Sequence, residues 1–326
     1  MARINQPNLQ HWIEFGLFKI AEVLIRLLTW RGACRLGAGL GLLVWFLDPA
    51  HRRIVRSNLR ASDLGVDETE VRRLTRRCFA NFGSMLLATL RMLTMSPERI
   101  RDLVRIEGLE HFDAAAAEGK GTIALTGHFG NWELMALGLS LEGRSLAVIG
   151  RELDNPLLEP YLSGLRGRFG NSVIAKNGAV RESLKALKQG KAIGFLLDQD
   201  AQKNGVFTRF FGQWASTFPT AGMLATRYDL PILPIFNRVH PDGSVTVLIR
   251  PPFHAPRTGN PDQDILAATQ LMTTCIEDEV RQDPAWWFWM HRRFKTQPKA
   301  GSLPPEKVQP ADTETQAGDN VVVGRH

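Results

Sequence analysis

The chain has 326 residues, of which 44% are hydrophobic and 22% charged, so it can bury one large core or two modest ones, and the composition excludes a protein that is disordered throughout. Forty lysines and arginines against 33 acidic residues give a net charge of +7, which favours an anionic partner: nucleic acid, a phospholipid surface or a phosphorylated substrate. Three widely spaced cysteines, Cys34, Cys78 and Cys275, show no metal-ligand spacing, so we predict a reducing, cytoplasmic setting without a disulfide or zinc framework.

The N-terminal segment, residues 1–48, is an apolar region that we predict to associate with a membrane. Its pattern indicates helices over His11–Leu28 and Ala33–Leu47. Neither helix reaches the roughly 20 predominantly apolar residues of a transmembrane span, so attachment to one face of the membrane is the favoured interpretation. The first residues carry no signal-peptide pattern. A single tilted span and a helical hairpin packed on the protein's own core are the alternatives.

A basic stretch, His51–Arg60, follows the apolar segment directly, and Arg72, Arg73, Arg76 and Arg77 lie near the start of the predicted helix Val71–Leu93. Arginines beside an apolar helix suit the phosphate layer of a bilayer, where each contributes on the order of 1 kcal/mol near an anionic surface. A solvated helix face is the alternative for any one of them. Together with the upstream segment, they favour a membrane surface.

From about residue 104, short β-branched or apolar runs alternate with helical stretches. This alternation predicts an α/β fold with a mixed or mostly parallel sheet flanked by helices, assigned to residues 49–298. The predicted strands are Thr122–Thr126, Leu146–Gly150, Val173–Ala175, Ile193–Leu197, Ile232–Phe236 and Val245–Ile249. The predicted helices between them are Trp132–Leu141, Leu157–Phe169, Val180–Gln189 and Pro219–Tyr228. Residues 299–326 are poor in apolar side chains and are predicted to form a disordered tail.

The stretch Thr126–Glu133, TGHFGNWE, places His128 after a predicted strand and Glu133 in the first turn of the next helix. Residues five apart on one continuous helix point about 140° away from each other, so the pair can meet only if His128 lies on the loop. Gly127 and Gly130 permit a tight strand-to-helix passage. This arrangement predicts a catalytic base with its orienting acid. A structural histidine and an ordinary first-turn glutamate are the alternative.

Three polar residues, His128, Arg151 and Asp198, follow predicted strands. Ligands bind at the carboxyl ends of strands in open α/β sheets, so these side chains are expected to converge on one site. The alternatives are that Arg151 pairs with Glu152 and that Asp198 is a turn residue. The H-x4-E spacing differs from the H-E-x-x-H spacing of a helical zinc site, so no metal is predicted.

Several sequence blocks occur in a fixed order: RRIVRSNL at 52–59, GHFGNWE at 127–133, RELDNPL at 151–157, FLLDQD at 195–200, the stretch 210–220, and WMHRRFKTQP at 289–298. Together they resemble the bacterial lipid A biosynthesis acyltransferase family, the late lauroyl or myristoyl transferases, from about residue 36 to 298. The ordered blocks are specific. The H-x4-E core alone is less so, because glycerolipid acyltransferases resemble it with aspartate in place of Glu133.

The resemblance implies a membrane-associated enzyme at the cytoplasmic face of the inner membrane. It implies transfer of a fatty acyl chain from acyl carrier protein to a hydroxyl of a lipid A precursor, which is a phosphorylated glucosamine disaccharide, with no cofactor beyond the donor. Attack of an alcohol on a thioester needs a base, and a histidine with a pKa of about 6.5 suits that task. We therefore predict His128 as the general base and Glu133 as the residue that holds its tautomer. By resemblance, Arg168 is the predicted oxyanion donor.

The remaining predicted site residues contact substrate. Arg151 and Arg166 are assigned to phosphate groups, because a guanidinium binds phosphate in a forked geometry. Asp198 is expected to shape the acceptor side of the cleft, and Asn131 is assigned a substrate contact within the same block as His128.

Other interpretations stay open at this point. The aromatic run Trp286–Trp289, followed by His291–Arg293, suits an interface with lipid headgroups, but packing of the chain end on the sheet explains it equally well. A different lipid hydroxyl, on a lysophospholipid, glycolipid or aminolipid, is the alternative acceptor, and a non-catalytic membrane scaffold is an alternative class. A nucleic-acid partner is not predicted, because the basic residues follow an apolar helix and match no known module.

Overall fold

The computed structural model describes residues 6–150, 153–175 and 178–299, so the predicted tail lies outside the described residues except for its first position. Within the described part, the chain alternates strands and helices, and the predicted α/β class is confirmed. The strands are β1 Val104–Glu107, β2 Thr122–Thr126, β3 Leu146–Gly150, β4 Ser172–Ala175, β5 Ala192–Leu196, β6 Val206–Phe210, β7 Gln213–Thr217, β8 Ile232–Val239 and β9 Val245–Ile249. The helices are α1 Leu9–Arg26, α2 Trp30–Leu47, α3 Pro49–Ala61, α4 Glu68–Met92, α5 Pro97–Arg101, α6 Leu109–Ala117, α7 Trp132–Leu141, α8 Glu159–Gly167, α9 Ala179–Leu187, α10 Thr220–Tyr228 and α11 Pro261–Gln282.

Seven strands form one sheet in the order β1–β9–β8–β2–β5–β3–β4, and β6 and β7 form a separate antiparallel hairpin. Strands β8, β2, β5, β3 and β4 run parallel, whereas β9 pairs antiparallel with β8 and parallel with β1. Residues of β2 and β9 are buried throughout, as expected for strands covered on both faces by helices. The sheet is therefore mostly parallel, and its central strands β2 and β5 end at the same edge.

Helix α2 packs tightly along α4 through glycines on both helices. A Cβ atom at Gly37 would lie 2.3 Å from the carbonyl oxygen of Gly83, and one at Gly41 would lie 2.0 Å from that of Phe79. The absence of side chains at these positions lets the two helix backbones approach closely. One face of the predicted apolar segment is thus packed on the protein, which agrees in part with the hairpin alternative.

The opposite faces of α1 and α2 are covered with apolar side chains that remain 44% to 80% exposed. They are Leu9, Trp12, Ile13, Leu17, Ile20, Val23, Leu24, Leu27, Leu36, Leu40, Leu43, Val44, Phe46 and Leu47. Exposed apolar side chains in this number are typical of a surface that contacts a membrane or another protein. We call this surface the N-terminal apolar face.

Helix α1 also contacts the chain around α8. The side-chain amide of Asn155 donates to the carbonyl oxygen of His11 at 3.0 Å and to Glu14 at 2.8 Å, and the ring of Phe18 lies 5.0 Å from that of Tyr161. Within the described residues, no single helix has the length and apolar character of a membrane span. The two helices α2 and α3 meet those criteria when taken together, but they bend by 94° where they join.

Candidate active site

A short loop carries His128 from the end of β2 to the start of α7. Gly130 adopts a φ of +62°, and a Cβ there would lie 2.3 Å from Oδ1 of Asn237. Asn237 on β8 holds this loop, because its Oδ1 accepts from the amide of Asn131 at 2.8 Å and its Nδ2 donates to the carbonyl oxygen of Phe129 at 3.1 Å. The glycine and the buried asparagine together fix where His128 enters the site.

His128 pairs with Asp198, the residue at the equivalent position on the neighbouring strand. Strands β2 and β5 are parallel and Thr126 is in register with Leu196, so the second residue after each strand lies at the same edge, within one strand spacing of the other. Nδ1 of His128 is 2.7 Å from Oδ1 of Asp198, and the backbone amide of His128 donates to Oδ2 at 2.5 Å. The expected convergence of these two residues is confirmed. Arg151, the third residue expected there, lies outside the described residues.

The carboxylate of Asp198 is buried and accepts a third hydrogen bond, from the indole Nε1 of Trp287 at 2.8 Å. Burial alone raises the pKa of Asp198, but the charge and hydrogen bonds of His128, with the indole donor, outweigh it and lower that pKa to about 2. Gly127 makes the close approach possible, since a Cβ there would lie 2.9 Å from Oδ2. An ionised carboxylate only accepts hydrogen bonds, so Nδ1 of His128 carries the proton and Nε2 is left as the basic nitrogen.

The environment of the imidazole is mostly aromatic. The ring of Trp132 lies 5.1 Å from that of His128 in an edge-to-face arrangement, and the ring of Phe288 lies 6.4 Å away. Nδ1 faces Asp198, while Nε2 lies 3.3 Å from the amide nitrogen of Gln199. The side chain of His128 is 20% exposed, so most of the ring is shielded from water.

Glu133, the predicted partner of His128, forms an ion pair with Arg166 instead. Nε of Arg166 lies 3.0 Å from Oε2 of Glu133, and one terminal nitrogen binds Oε1 of the same carboxylate. Glu133 is buried, and the side chain of Arg166 is 22% exposed. Burial alone lowers the pKa of Arg166, but its hydrogen bonds with Glu133 and the charge of that carboxylate raise it overall. The partner that orients the imidazole is therefore Asp198, because Glu133 lies inside α7 with its carboxylate turned to α8.

Two further residues that were predicted to belong to the site make helix-terminal hydrogen bonds instead. The guanidinium of Arg168, predicted as an oxyanion donor, donates to the carbonyl oxygens of Met92 at 2.9 Å and Met95 at 2.7 Å, at the C-terminal end of α4. A cation there satisfies carbonyl groups that lack helical partners. Asn131, predicted to bind substrate, is the N-cap of α7 and accepts from the amide of Leu134 at 3.0 Å. Both side chains are already engaged in helix-terminal contacts.

A large cavity of about 590 Å³ opens beside His128. It lies between α7 and the sheet, and its walls are mainly the aliphatic side chains of β3, β5 and α7. His128 and the Glu133–Arg166 pair are among the polar side chains on its wall. This volume falls within the range of roughly 300–1,000 Å³ typical of small-molecule sites, and its lining suits an apolar ligand.

On the opposite side, facing α4, His128 borders a narrower cleft. Its walls come from α4, including Asn81 and Phe82, and from the aromatic segment Trp286–Trp289. The side chain of Asn81 donates to the carbonyl oxygen of Ala285 at 3.0 Å, which ties the two walls together. The imidazole therefore lies between two openings, one large and aliphatic and one narrow and aromatic.

The C-terminal aromatic segment closes the site, and most of it is buried. The amide of Phe288 donates to the carbonyl oxygen of His128 at 3.1 Å, while Trp287 and Trp289 are 2% and 0% exposed. The packing interpretation of this segment is therefore correct for those two tryptophans, and an interface with headgroups is wrong for them. The contact between Trp287 and Asp198 could not be predicted from a local pattern, because the two residues are 89 positions apart in the sequence.

The basic residues that follow hold the loop after β5, which carries Asp198. Arg293 is fully buried and donates to the carbonyl oxygens of Gln199 at 2.9 Å and Ser216 at 2.5 Å. Burial lowers the pKa of Arg293 to about 10, against the opposing charges of nearby carboxylates. Nε2 of His291 accepts from the amide of Asp200 at 2.8 Å, and burial, as the largest influence, lowers the pKa of His291. Among the described residues, no three histidine, cysteine or acidic side chains cluster as metal ligands would.

An ionised carboxylate that orients a histidine, with its second nitrogen beside an aliphatic cavity, has the geometry of a general-base site for an apolar substrate. The chain matches the family model of the bacterial lipid A biosynthesis acyltransferases over residues 4–296, and it belongs to that family of enzymes. It is 28% identical to the lipid A biosynthesis lauroyltransferase of Escherichia coli K12 over 267 residues, which cover 81% of this chain and 86% of that protein.

Two further relatives support the same assignment. A lipid A biosynthesis acyltransferase of Haemophilus influenzae is 30% identical over 271 residues, covering 81% of this chain and 84% of its own. The lipid A biosynthesis myristoyltransferase of Escherichia coli K12 is 24% identical over 280 residues, covering 83% of each chain. The predicted family is confirmed, and the chain is an acyltransferase.

Proposed function

We propose that this enzyme transfers a fatty acyl chain from acyl carrier protein to a hydroxyl of a lipid A precursor. The observation that carries this proposal is the His128–Asp198 pair at the wall of an aliphatic cavity, in a chain that belongs to the lipid A acyltransferase family. The names of the lauroyl- and myristoyltransferase relatives support a long fatty acyl chain as the transferred group.

In the proposed reaction, Nε2 of His128 takes the proton of the acceptor hydroxyl as its oxygen attacks the carbonyl carbon of the donor thioester. The resulting tetrahedral intermediate expels the thiolate, which takes up the proton held on His128, and an ester is formed. Asp198 keeps Nδ1 protonated and stabilises the imidazolium through its hydrogen bonds. General-base assistance of this kind contributes roughly 10²- to 10⁴-fold in rate.

The oxyanion needs a fixed donor, and we assign this role to the side-chain amide of Gln199 in place of Arg168. Gln199 lies on the wall of the large cavity, and its amide nitrogen is 3.3 Å from Nε2 of His128, so an oxygen at the reaction centre would lie within its reach. Arg168 is engaged by the carbonyl groups at the end of α4. Loss of one oxyanion donor typically lowers kcat about 10²- to 10³-fold.

The large cavity is the proposed site of the donor's acyl chain. Its walls are mainly aliphatic, and it begins at the reactive histidine, so a chain inside it would present its thioester carbonyl to His128. The narrow cleft facing α4 is then the side from which the acceptor hydroxyl approaches. No resident cofactor is proposed, because the thioester supplies the activated acyl group.

We further propose that the enzyme is attached to the inner membrane, at its cytoplasmic face, through the N-terminal apolar face. Side chains such as Trp12, Leu17 and Phe46 are exposed on α1 and α2 and would enter the lipid layer. The acceptor lipid would reach the site from the same layer. Attachment would therefore bring enzyme and acceptor together without either leaving the membrane.

The proposal is tested with the purified full chain, acyl carrier protein thioesters and the phosphorylated disaccharide precursor in detergent. Mass spectrometry should show one added acyl chain on the precursor, and His128→Ala should reduce the rate at least about 10³-fold. His254→Ala is a matched control, because His254 is 41% exposed and pairs with Glu118 away from the site. Acylation of a lysophospholipid in preference to the disaccharide would favour the alternative acceptor, and no transfer to any acceptor would favour a scaffold.

A further inference from the structure

A second concave surface lies between α2, α3 and α4, and it is lined by arginines. Its volume is about 990 Å³ and it is open to solvent. The arginines on its wall are Arg56, Arg60, Arg72, Arg73, Arg76 and Arg77. We call this surface the arginine groove. Neither the proposed proton transfer nor the acyl cavity uses it.

The groove carries an excess of positive charge after its internal ion pairs are counted. Arg60 and Arg72 share Glu68, while Arg73 pairs with Glu70 and Arg77 with Asp283. Six arginines therefore face three carboxylates. Neither Arg56 nor Arg76 has an ion pair with any described residue, so the surplus of three charges falls partly on side chains that are free to bind an anion.

Two donors in the groove are buried without a hydrogen-bond acceptor among the described residues. They are Nε of Arg56 and the indole Nε1 of Trp45. Burying a polar group without a partner costs about 1–3 kcal/mol. An ordinary solvated helix face would leave such groups in water. Both atoms are shielded from solvent, so a ligand in the groove would reach them only after a local side-chain movement.

The groove and the narrow cleft at His128 are lined by successive residues of the same helix, α4. Arg76 and Arg77 line the groove, and Asn81 and Phe82, within the next two turns of the same helix, line the narrow cleft at His128. Arg76 and Phe82 are six residues apart, which corresponds to about 9 Å along the helix axis. A headgroup of the size of a sugar phosphate has about that length, so the two sites are close enough for one molecule to contact both.

The groove is also continuous with the N-terminal apolar face. Leu42 and Trp45 of α2 form part of its wall, and the adjacent Leu43, Val44 and Phe46 are exposed on the apolar face. A ligand in the groove therefore has phosphate-binding guanidinium groups on one side and a hydrocarbon-binding surface beside them. An acidic protein would match the charge but not this apolar border. A lipid with a phosphorylated headgroup matches both.

We infer that the arginine groove binds a phosphate group of the acceptor lipid. This inference rests on the proposed acyl transfer to a phosphorylated lipid. Arg56 and Arg76 bind the phosphate oxygens through charge-assisted hydrogen bonds from the terminal nitrogens of their guanidinium groups. The sugar then extends along α4 towards the narrow cleft at His128, which has a volume of only about 10 Å³ and widens to admit the acyl hydroxyl. Acceptor selection by phosphate is thereby separated from the chemistry at His128.

The test compares two acceptors with the double variant Arg56→Gln/Arg76→Gln. The acceptors are the phosphorylated disaccharide precursor and the same molecule after enzymatic dephosphorylation, both in neutral detergent micelles. For the double variant, KM for the phosphorylated acceptor should rise about tenfold or more, because charged hydrogen bonds are lost, while KM for the dephosphorylated acceptor should stay within about twofold. The double variant Arg105→Gln/Arg257→Gln removes two exposed arginines elsewhere and should change neither KM.

Three results would overturn the inference. Equal KM increases for both acceptors would show that the substitutions act without the phosphate. An increase in KM for the acyl carrier protein donor alone would assign the groove to a protein. Loss of binding to phosphatidylglycerol vesicles, with an unchanged KM in neutral micelles, would assign it to bulk phospholipid.

Direct binding separates this inference from the proposed function. Titration calorimetry of the phosphorylated precursor in micelles needs no turnover, so weaker binding by the groove variant would support the phosphate site even if the wild type transferred no acyl chain. Equal binding of the phosphorylated precursor by the wild type and the groove variant would refute the site. Thermal unfolding of both double variants verifies that they fold.

Discussion

Replacing Asp198 by asparagine distinguishes the two carboxylates that compete for the role of His128's partner. Asp198 accepts three donors: the amide and Nδ1 of His128 and the indole of Trp287. An asparagine amide group brings its own hydrogens into this cluster, which favours the tautomer with Nδ1 as acceptor and the proton on Nε2. The base would then be blocked, so we expect Asp198→Asn to lower kcat about 10³- to 10⁴-fold.

Glu133→Gln is expected to behave differently, because Glu133 binds Arg166. It should leave kcat within about tenfold of wild type and lower the free energy of unfolding by on the order of 2 kcal/mol, since a partly buried guanidinium loses its charged partner. Rates of ester formation measured from pH 5 to 9 by mass spectrometry provide the comparison, with Asp200→Asn as the matched amide substitution. If Glu133→Gln lowered kcat as much as His128→Ala does, and Asp198→Asn kept a kcat close to wild type, Asp198 would not be the partner of His128.

The same carboxylate predicts a pH dependence of stability. The pKa of Asp198 lies at about 2 in the folded protein, against an ordinary value of 3.8. The contribution of this group to stability is therefore complete above about pH 4 and is lost as the pH falls towards 2. Urea unfolding at pH 5 and pH 2.5 should show that wild type loses on the order of 2 kcal/mol more than Asp198→Asn. Equal losses would show that Asp198 is not held ionised.

Three further predictions concern the walls of the site. Ala136→Met adds atoms inside the large cavity, so the ratio of kcat/KM for short over long acyl donors should rise about tenfold, and an unchanged ratio would show that the chain binds elsewhere. His291→Gln keeps an acceptor for the amide of Asp200, but the glutamine side chain cannot be protonated. Because burial lowers the pKa of His291, the wild type should lose stability as the pH falls below 6.5. Urea unfolding should show a smaller loss for the variant. Gly130→Ala should destabilise the protein by about 1–3 kcal/mol in thermal unfolding, because its Cβ would meet Asn237 at a positive φ, and wild-type stability would contradict this.

Much of the fold follows from local patterns. Helix α7 and strands β2, β3 and β9 coincide with their predicted ranges, because apolar runs with clear ends define them. Strand β1 was not predicted; it is only four residues long and alternates partly buried with exposed positions. Helix α11 was also missed, although Asn260 and Pro261 at its start are an N-cap and a first-turn proline.

The sequence identifies residues of the site but not which of them pair, because the pairing depends on the order of the strands in the sheet. The sequence places both His128 and Asp198 just after strands, but no local pattern states that β2 and β5 are neighbours in the sheet. Glu133 was favoured as the partner because it is close in sequence, and the pairing across the sheet is closer in space. Arg166 and Arg168 lie two positions apart and turn to different neighbours, Glu133 and the end of α4, which depends on how α8 packs.

The hydrogen bond from Trp287 to Asp198 has a consequence for the order in which the protein is made. His128 and Asp198 are 70 residues apart, and the indole that completes their contact is a further 89 residues along the chain. Synthesis proceeds from the N-terminus, so most of the sheet can form before Trp287 has left the ribosome. The exposed apolar face of α1 and α2, in contrast, emerges first. The polypeptide can thus meet a membrane long before His128 acquires its final surroundings.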